Sequence, residues 1–384
     1  MIESYKYSSN MKHILYFLFF LFLVMPSCIR HKSTDYSLAD VSIIIDLDSA
    51  KRVPLKLGEI RYIPLETSEN CLIGNADKVL IRNGKIYVAD FSQAMALFVF
   101  DLKGKFLSKI ARRGQGPGEY ISFKDFDINS NGDIYIFDQY GRKLLVLDSE
   151  GKYLRMIKSN YYFENFCVIG NRMYWAKFLD GKRFADLGVY DMKNEQLTFL
   201  LNNRKFLHDI NVDFSTYKFY YSPGNTYYSP KFSEIIYAVN TDGISPAIGI
   251  KNLPFPPPDV IEKWEKSDIK KQMELIVLKN NYFLENVYIY ENNYFISIGY
   301  KIGIRQNMLL YDKRSESAYL VSGEDFFKSV GDRNIMGSTG KDFFSVISFN
   351  TDNVYEKRIL ESRKELKNWK EDDNPVIAIF DLDM

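Results

Sequence analysis

One strand–turn–strand pattern repeats in tandem, aromatic residues make up 16% of the chain, and turn signals recur at blade-like spacing. Together these predict an all-β fold, a six-bladed β-propeller. The repeat is plainest where Asn83-Gly-Lys-Ile-Tyr-Val-Ala-Asp90 returns as Asn131-Gly-Asp-Ile-Tyr-Ile-Phe-Asp138. Each copy is followed by an apolar strand ending in aspartate, Leu97 to Asp101 and Leu144 to Asp148, and then by a glycine turn at Gly104 or Gly151. The period of about 48 residues is at the upper end of the blade range. Asn-Gly between alternating apolar runs signals a type I′ hairpin, because both residues tolerate positive φ. The 28 Tyr and 29 Phe suit flat, half-buried strand surfaces.

The N-terminus reads as an export signal. Lys12 and His13 precede an unbroken apolar run, Ile14 to Met25, too short to span a bilayer and of the right length for a signal-peptide core. Pro26-Ser27-Cys28 follows. A cysteine directly after a small residue there resembles the lipobox of bacterial lipoproteins. Cys28 is therefore expected to carry lipid, with an ordinary cleaved signal or an uncleaved anchor as alternatives. The expected organisation is a signal peptide over 1–27, a polar tether over 28–40 and one propeller over 41–384, and Met11 reads as a better start than Met1. Cys71 and Cys167 fall in different blades and read as buried free thiols.

The repeat continues more faintly. Asn171-Arg-Met-Tyr-Trp with Leu187 to Asp191 forms a third unit, and Ile235 to Asn240 before Asp242-Gly243 a fourth. Asn292-Asn-Tyr-Phe-Ile-Ser with Met308 to Asp312 forms a fifth, and Phe343 to Phe349 with Pro375 to Leu382 a sixth. Leu253-Pro-Phe-Pro-Pro-Pro258 stops any strand, and Asp259 to Leu278 reads as a helix, so a helical insertion over about 251–280 is expected between blades 4 and 5. A second helical piece is expected over Arg358 to Lys370. Closure requires an N-terminal strand, Ser42 to Leu47 or Ile60 to Leu65, to share the last blade with Val376 to Asp381.

The 50 Lys and Arg balance 49 Asp and Glu, so no electrostatic footprint points to nucleic acid. The run Gly114-Gln-Gly116-Pro-Gly118 suggests a phosphate cradle, but no Lys-Ser/Thr and no helix follow it, so it reads as a tight crossover between blades. Arg112, Arg113, Gln115, Glu119 and Tyr120 beside it are candidate ligand-facing side chains. Of three histidines only His208 lies in the folded part, so histidine-based catalysis and a His-rich metal site have a single candidate. Asp77, Asp90, Asp125, Asp127 and Asp138 are the acids from which a calcium site in the channel would be built, but Asp90 and Asp138, at equivalent repeat positions, read first as turn caps. Tyr220, Tyr221, Tyr227 and Tyr228 flank Ser222-Pro-Gly-Asn225, a turn that would present rings at a loop tip as a ligand platform, while strand packing accounts for most of them. No catalytic or metal residue is assigned and no cofactor is expected, apart from calcium under the enzyme alternative below.

The run Ile110-Ala-Arg-Arg-Gly-Gln-Gly-Pro-Gly-Glu-Tyr120, with Phe126-Asp-Ile, Asn131-Gly-Asp-Ile-Tyr-Ile, Asp138, Leu144 to Asp148 and Gly151, resembles an NHL repeat. With Ile63-Pro-Leu-Glu-Thr67, Leu72-Ile-Gly74 and Asn374-Pro-Val, the chain is similar to the six-bladed β-propeller lipoproteins of Bacteroidetes. That resemblance implies a fold, an export route to a Gram-negative cell envelope and a lipid anchor in the inner or outer membrane. It carries no established activity. The expected function is an envelope binding or scaffold protein whose propeller face engages a glycan, peptide or protein; the alternative is a calcium-dependent hydrolase or lyase with its site in the central channel.

Overall fold

The computed structural model describes residues 36–180, 183–201, 217–265, 267–268, 270–271, 282–302, 305–331, 334–348 and 353–383. The signal segment, Cys28 and His208 lie outside the described residues. Six sheets surround one axis. Blades 1, 2 and 3 span 78–110, 125–158 and 165–201, each as four sequential antiparallel strands. Blade 4 (219–251), blade 5 (283–322) and blade 6 (337–380) each add a strand from the N-terminal segment. The first strand of each blade lines the channel, and these inner strands touch their neighbours around the ring.

Period-two alternation explains why consecutive apolar residues are all buried. In Lys85–Asp90, Ile86 and Val88 face one way and pack with Phe98, Phe100, Ile377 and Ile379, joining blade 1 to blade 6. Tyr87 and Ala89 face the other way and pack with Phe126, Ile136 and Leu145 of blade 2. Each blade is thus covered on both faces, as a strand with no polar alternation requires. Burying each large apolar side chain contributes about 1.5–3 kcal/mol. Truncating a ring such as Phe98, which is 0% exposed, to alanine is expected to cost about 3–5 kcal/mol.

Closure occurs where the second of the two candidate segments lies. Arg61–Pro64 pairs antiparallel with Val376–Phe380 as the outermost strand of blade 6. Ser42 to Leu47 does not serve this purpose: Ile43–Asp46 lies parallel to the outer strand of blade 4, with Ile43 opposite Ile248. Lys51–Arg52 pairs parallel with Tyr319 and Leu320 of blade 5. The N-terminal segment is therefore a strap that covers the outer edges of three consecutive blades. It docks from Tyr36, whose ring lies 5.8 Å from that of Tyr237.

The two Asn-Gly turns differ. Asn83 and Gly84 have φ of 50° and 73° and close a two-residue hairpin between paired Arg82 and Lys85, as a type I′ turn requires. At Asn131-Gly132 only the glycine is left-handed. The loop there is longer, because the Asn129 carboxamide oxygen accepts from the amides of Asn131 and Asp133. The glycine-turn repeat is faithful: Asp101 accepts from Lys103 and Lys105, and Asp148 from Glu150 and Lys152.

Among the described residues, helix α1 (Pro258–Glu265) occupies the beginning of the expected insertion and Lys270 and Lys271 are again helical, while 272–281 lie outside the described residues. Helix α2 (Gly323–Val330), between blades 5 and 6, was not expected; Ser322 caps its start and Gly331, with φ of 92°, ends it. Helix α3 (Val354–Ser362) begins before Arg358 and gives way to a short 3-10 turn, Lys364–Leu366, so the second helical piece is two elements. None is long and apolar enough to cross a membrane. All three sit in connections on the face where the inner strands begin, hereafter the entry face.

Candidate functional site at the mouth of the channel

The inner strands put charge next to the axis, and neighbouring blades neutralise it. Lys78 opens the inner strand of blade 1; its ammonium lies 2.7 Å from Asp125 of blade 2 and donates to the Phe126 carbonyl. Arg82 ends the same strand and pairs with Asp127 at 2.9 Å. Asp125 and Asp127 also accept from the amides of Phe166 and Val168 on blade 3. In blade 4, Lys218 meets Glu285 of blade 5 at 2.8 Å, both side chains being 3% exposed. Burial pushes the Asp125 carboxyl up, with Lys78 opposing. Such pairs are costly to break one-sidedly, since the remaining charge is left buried.

Blades 1 and 4 stand opposite each other in a ring of six, and tyrosines reach across between them. The Tyr217 hydroxyl donates to the Asp77 carbonyl, and its ring centre lies 5.4 Å from the Lys78 ammonium. Deeper in, the Arg82 guanidinium carbon sits 3.5 Å from the centre of the Tyr221 ring, a cation–π stack. The channel is barred across its axis. To one side of the bar lies a cavity of about 210 Å³, lined from blades 1, 4, 5 and the approach to blade 6. Tyr288 and Tyr290, stacked at 6.1 Å and 16°, form part of its wall. Lys301, Gln306 and Asn334 supply polar groups, the Gln306 side-chain Nε2 donating to the Asn334 side-chain Oδ1 at 2.6 Å. Burial pushes the Tyr217 and Tyr290 hydroxyls well above their ordinary value and lowers Lys301.

Strand packing, and not a loop-tip platform, accounts for most of the tyrosines around Ser222-Pro-Gly-Asn225. Tyr220, Tyr227 and Tyr228 are buried in the two inner strands of blade 4, Phe219–Ser222 and Asn225–Tyr228. The Tyr220 hydroxyl donates to the Tyr217 carbonyl and that of Tyr228 to the Asp186 carbonyl. Pairing of these strands turns most rings into the core. Tyr221 alone of the four stays half-buried, at the cavity.

The glycine run lies in the crossover from blade 1 to blade 2, and its concavity holds the chain's own carboxylate. The Gly116 amide donates to Glu119 at 2.7 Å. A Cβ at Gly114 would meet that carboxylate at 2.1 Å. Tyr120 is fully buried, its hydroxyl donating to the Met95 carbonyl at 2.6 Å, because this crossover must seal the space between two blades. Arg112 donates to the Gly151 carbonyl at 3.0 Å, whereas Arg113 and Gln115 are exposed.

The other acids have local partners. Asp90 accepts from the amides of Gly74, Asn75, Ser92 and Gln93, and Asp138 from Ile121, Ser122 and Gly141. Each ties a blade crossover to the turn after its second strand. Asp77 accepts from Phe91. Among the described residues no three His, Cys, Asp or Glu gather in metal-binding proximity. Cys71 and Cys167 are buried free thiols.

Lys78, Arg82, Tyr288, Tyr290, Lys301, Gln306 and Asn334 carry no local motif, and the sequence reading passed over them. A signal did exist for two: the first strand of unit one begins and ends in basic residues, Lys78 and Arg82, and that of unit two carries two acids, Asp125 and Asp127.

The architecture is a six-bladed β-propeller whose channel is barred across its axis, with a cavity beside the bar. Residues 42–381 match the model of the family described as a domain of unknown function, DUF4934, and the chain belongs to that family. Its fold is similar to that of a Bacteroides fragilis NCTC 9343 protein described as exported, with 19% identity, a TM-score of 0.70, and coverage of 89% of this chain and 100% of that one. It is also similar to a DUF4221 family member from Bacteroides vulgatus, with 11% identity, a TM-score of 0.54, and coverage of 87% and 99%. No curated protein matches the chain.

Proposed function

We propose that this protein is an exported, lipid-anchored binding protein of the cell envelope, held through Cys28, which receives part of a larger ligand in the cavity at the channel mouth. One observation carries the reading: aromatic walls and convergent polar groups meet in a concave site built from blades 1, 4 and 5 and the approach to blade 6, the usual character of a ligand site. At about 210 Å³ the cavity is smaller than the roughly 300–1,000 Å³ typical for whole small ligands. It suits one unit of a chain whose remainder rests on the entry face. A glycan or a peptide end meets that description. The channel acids engaged by Lys78, Arg82, Lys218 and backbone amides favour binding over a calcium-dependent hydrolase or lyase.

The test is retention of a glycan and peptide panel on the immobilised chain. Gln306→Trp, which fills the mouth, is expected to lose the retained ligand, while Arg113→Ala with Gln115→Ala keeps it. The opposite pattern would move the site to the crossover between blades 1 and 2.

A further inference from the structure

We infer that the unit taken by the cavity is an uncharged sugar ring at the end of a glycan chain, which rests on the binding reading above. The charges around the cavity cancel. Lys78 and Lys301 line it, and Lys218 stands behind; against them are Asp77 on the wall, Asp125 on Lys78 at 2.7 Å, and Glu285, which holds Lys218 at 2.8 Å and acts on Lys301. Deeper, Arg82 is matched by Asp127. A carboxylate or phosphate entering here would lose its water without gaining an unmatched cation, which is costly in a buried site. An ammonium would meet the same balance with the sign reversed.

What remains on offer is ring faces and neutral hydrogen-bonding groups. Tyr221 and the Tyr288–Tyr290 stack line the cavity with aromatic rings that carry hydroxyl groups. Gln306 and Asn334 add amide donors and acceptors at the rim, and the lysines add donors whose charge is already offset. A sugar ring needs these two things together, an apolar face to stack and several hydroxyls to satisfy.

Geometry restricts the ring to a chain end. Phe219–Ser222 and Lys78–Arg82 both run inward from the entry face, so the Arg82–Tyr221 stack lies below the cavity and the Tyr217–Asp77 contact beside it. A polymer cannot thread past them.

Saturation-transfer NMR on the full chain tests this with matched probes: methyl glycosides of neutral hexoses and the corresponding methyl hexuronides, which differ from them by one carboxylate. A neutral hexoside is expected to bind at least about tenfold more tightly than its uronide, the effect of burying an unmatched charge. That binding should barely change with salt, and Gln306→Trp and Lys301→Met should each remove it while melting as wild type does. Tighter binding of a uronide overturns the inference, as does a peptide that alone occupies the cavity. These two results leave the binding reading standing, whereas failure of Gln306→Trp to disturb any retained ligand removes both.

Discussion

The Arg82 guanidinium and the Tyr221 ring meet at 3.5 Å across the channel axis, although they belong to opposite blades. The contact joins two halves of the ring that share no sheet. Tyr221→Leu is expected to lower stability by about 0.5–2 kcal/mol. Arg82→Met should cost more, about 3–5 kcal/mol, because Asp127 is left without its partner. Urea unfolding of both variants and of the double variant measures the coupling. Strict additivity would show that the stack contributes nothing.

Asp90 gives a pH signature. Burial alone would raise its carboxyl, but amide donors from Asn75, Gln93, Ala94 and Gly74 outweigh that and hold it below the ordinary 3.8. A lowered folded value means that the contribution is present above the unfolded value and is lost as pH falls through the folded one. Asp90→Asn should therefore be less stable than wild type at neutral pH, by about 1–3 kcal/mol from the weakened amide bonds. The gap should narrow as pH drops below 3.8. Thermal melts across that range check it, and a gap independent of pH would contradict the assignment.

The last blade makes a topological prediction. Val376–Phe380 pairs with Phe343–Ile347 on one side and with Arg61–Pro64 on the other. Deleting residues 375–384 is expected to abolish the cooperative thermal transition, since it exposes two strand edges where the ring closes. A normal melt of the shortened chain would mean that the ring does not close there.

Calcium separates the binder from the enzyme alternative. With Asp125 and Asp127 engaged by Lys78, Arg82 and two amides of blade 3, about 1 mM calcium should not raise the melting temperature over an EDTA control. Binding to the native state alone would raise it. A calcium-dependent rise would revive the channel-metal reading.

The blades were legible because alternation and turn chemistry act over a few residues. Asn83-Gly84, the Asp101 and Asp148 turns and the 374–382 strand all show their structure locally. What lay beyond reach depends on the third dimension. Ile43–Asp46 looks as fit to close blade 6 as Arg61–Pro64, and only the path of the strap decides between them. Tyr220 and Tyr221 are adjacent in sequence and both line the cavity, yet strand pleating buries the first and leaves the second half-buried. The cavity joins residues from Asp77 to Met336, and no periodicity reports which side chains face one another across an axis. Helix α2 was missed despite its Ser322 cap and Gly331 stop, because it is short and falls between strong strand signals.

Oxidative footprinting of tyrosines with a panel-selected ligand bound tests the channel-mouth site most directly. Tyr221 and Tyr290 line the cavity, while Tyr140 and Tyr162 are exposed elsewhere, at 77% and 49%. The account predicts that ligand protects Tyr221 and Tyr290 and leaves Tyr140 and Tyr162 unchanged. Protection of Tyr140 and Tyr162, with Tyr221 and Tyr290 unaffected, would contradict it.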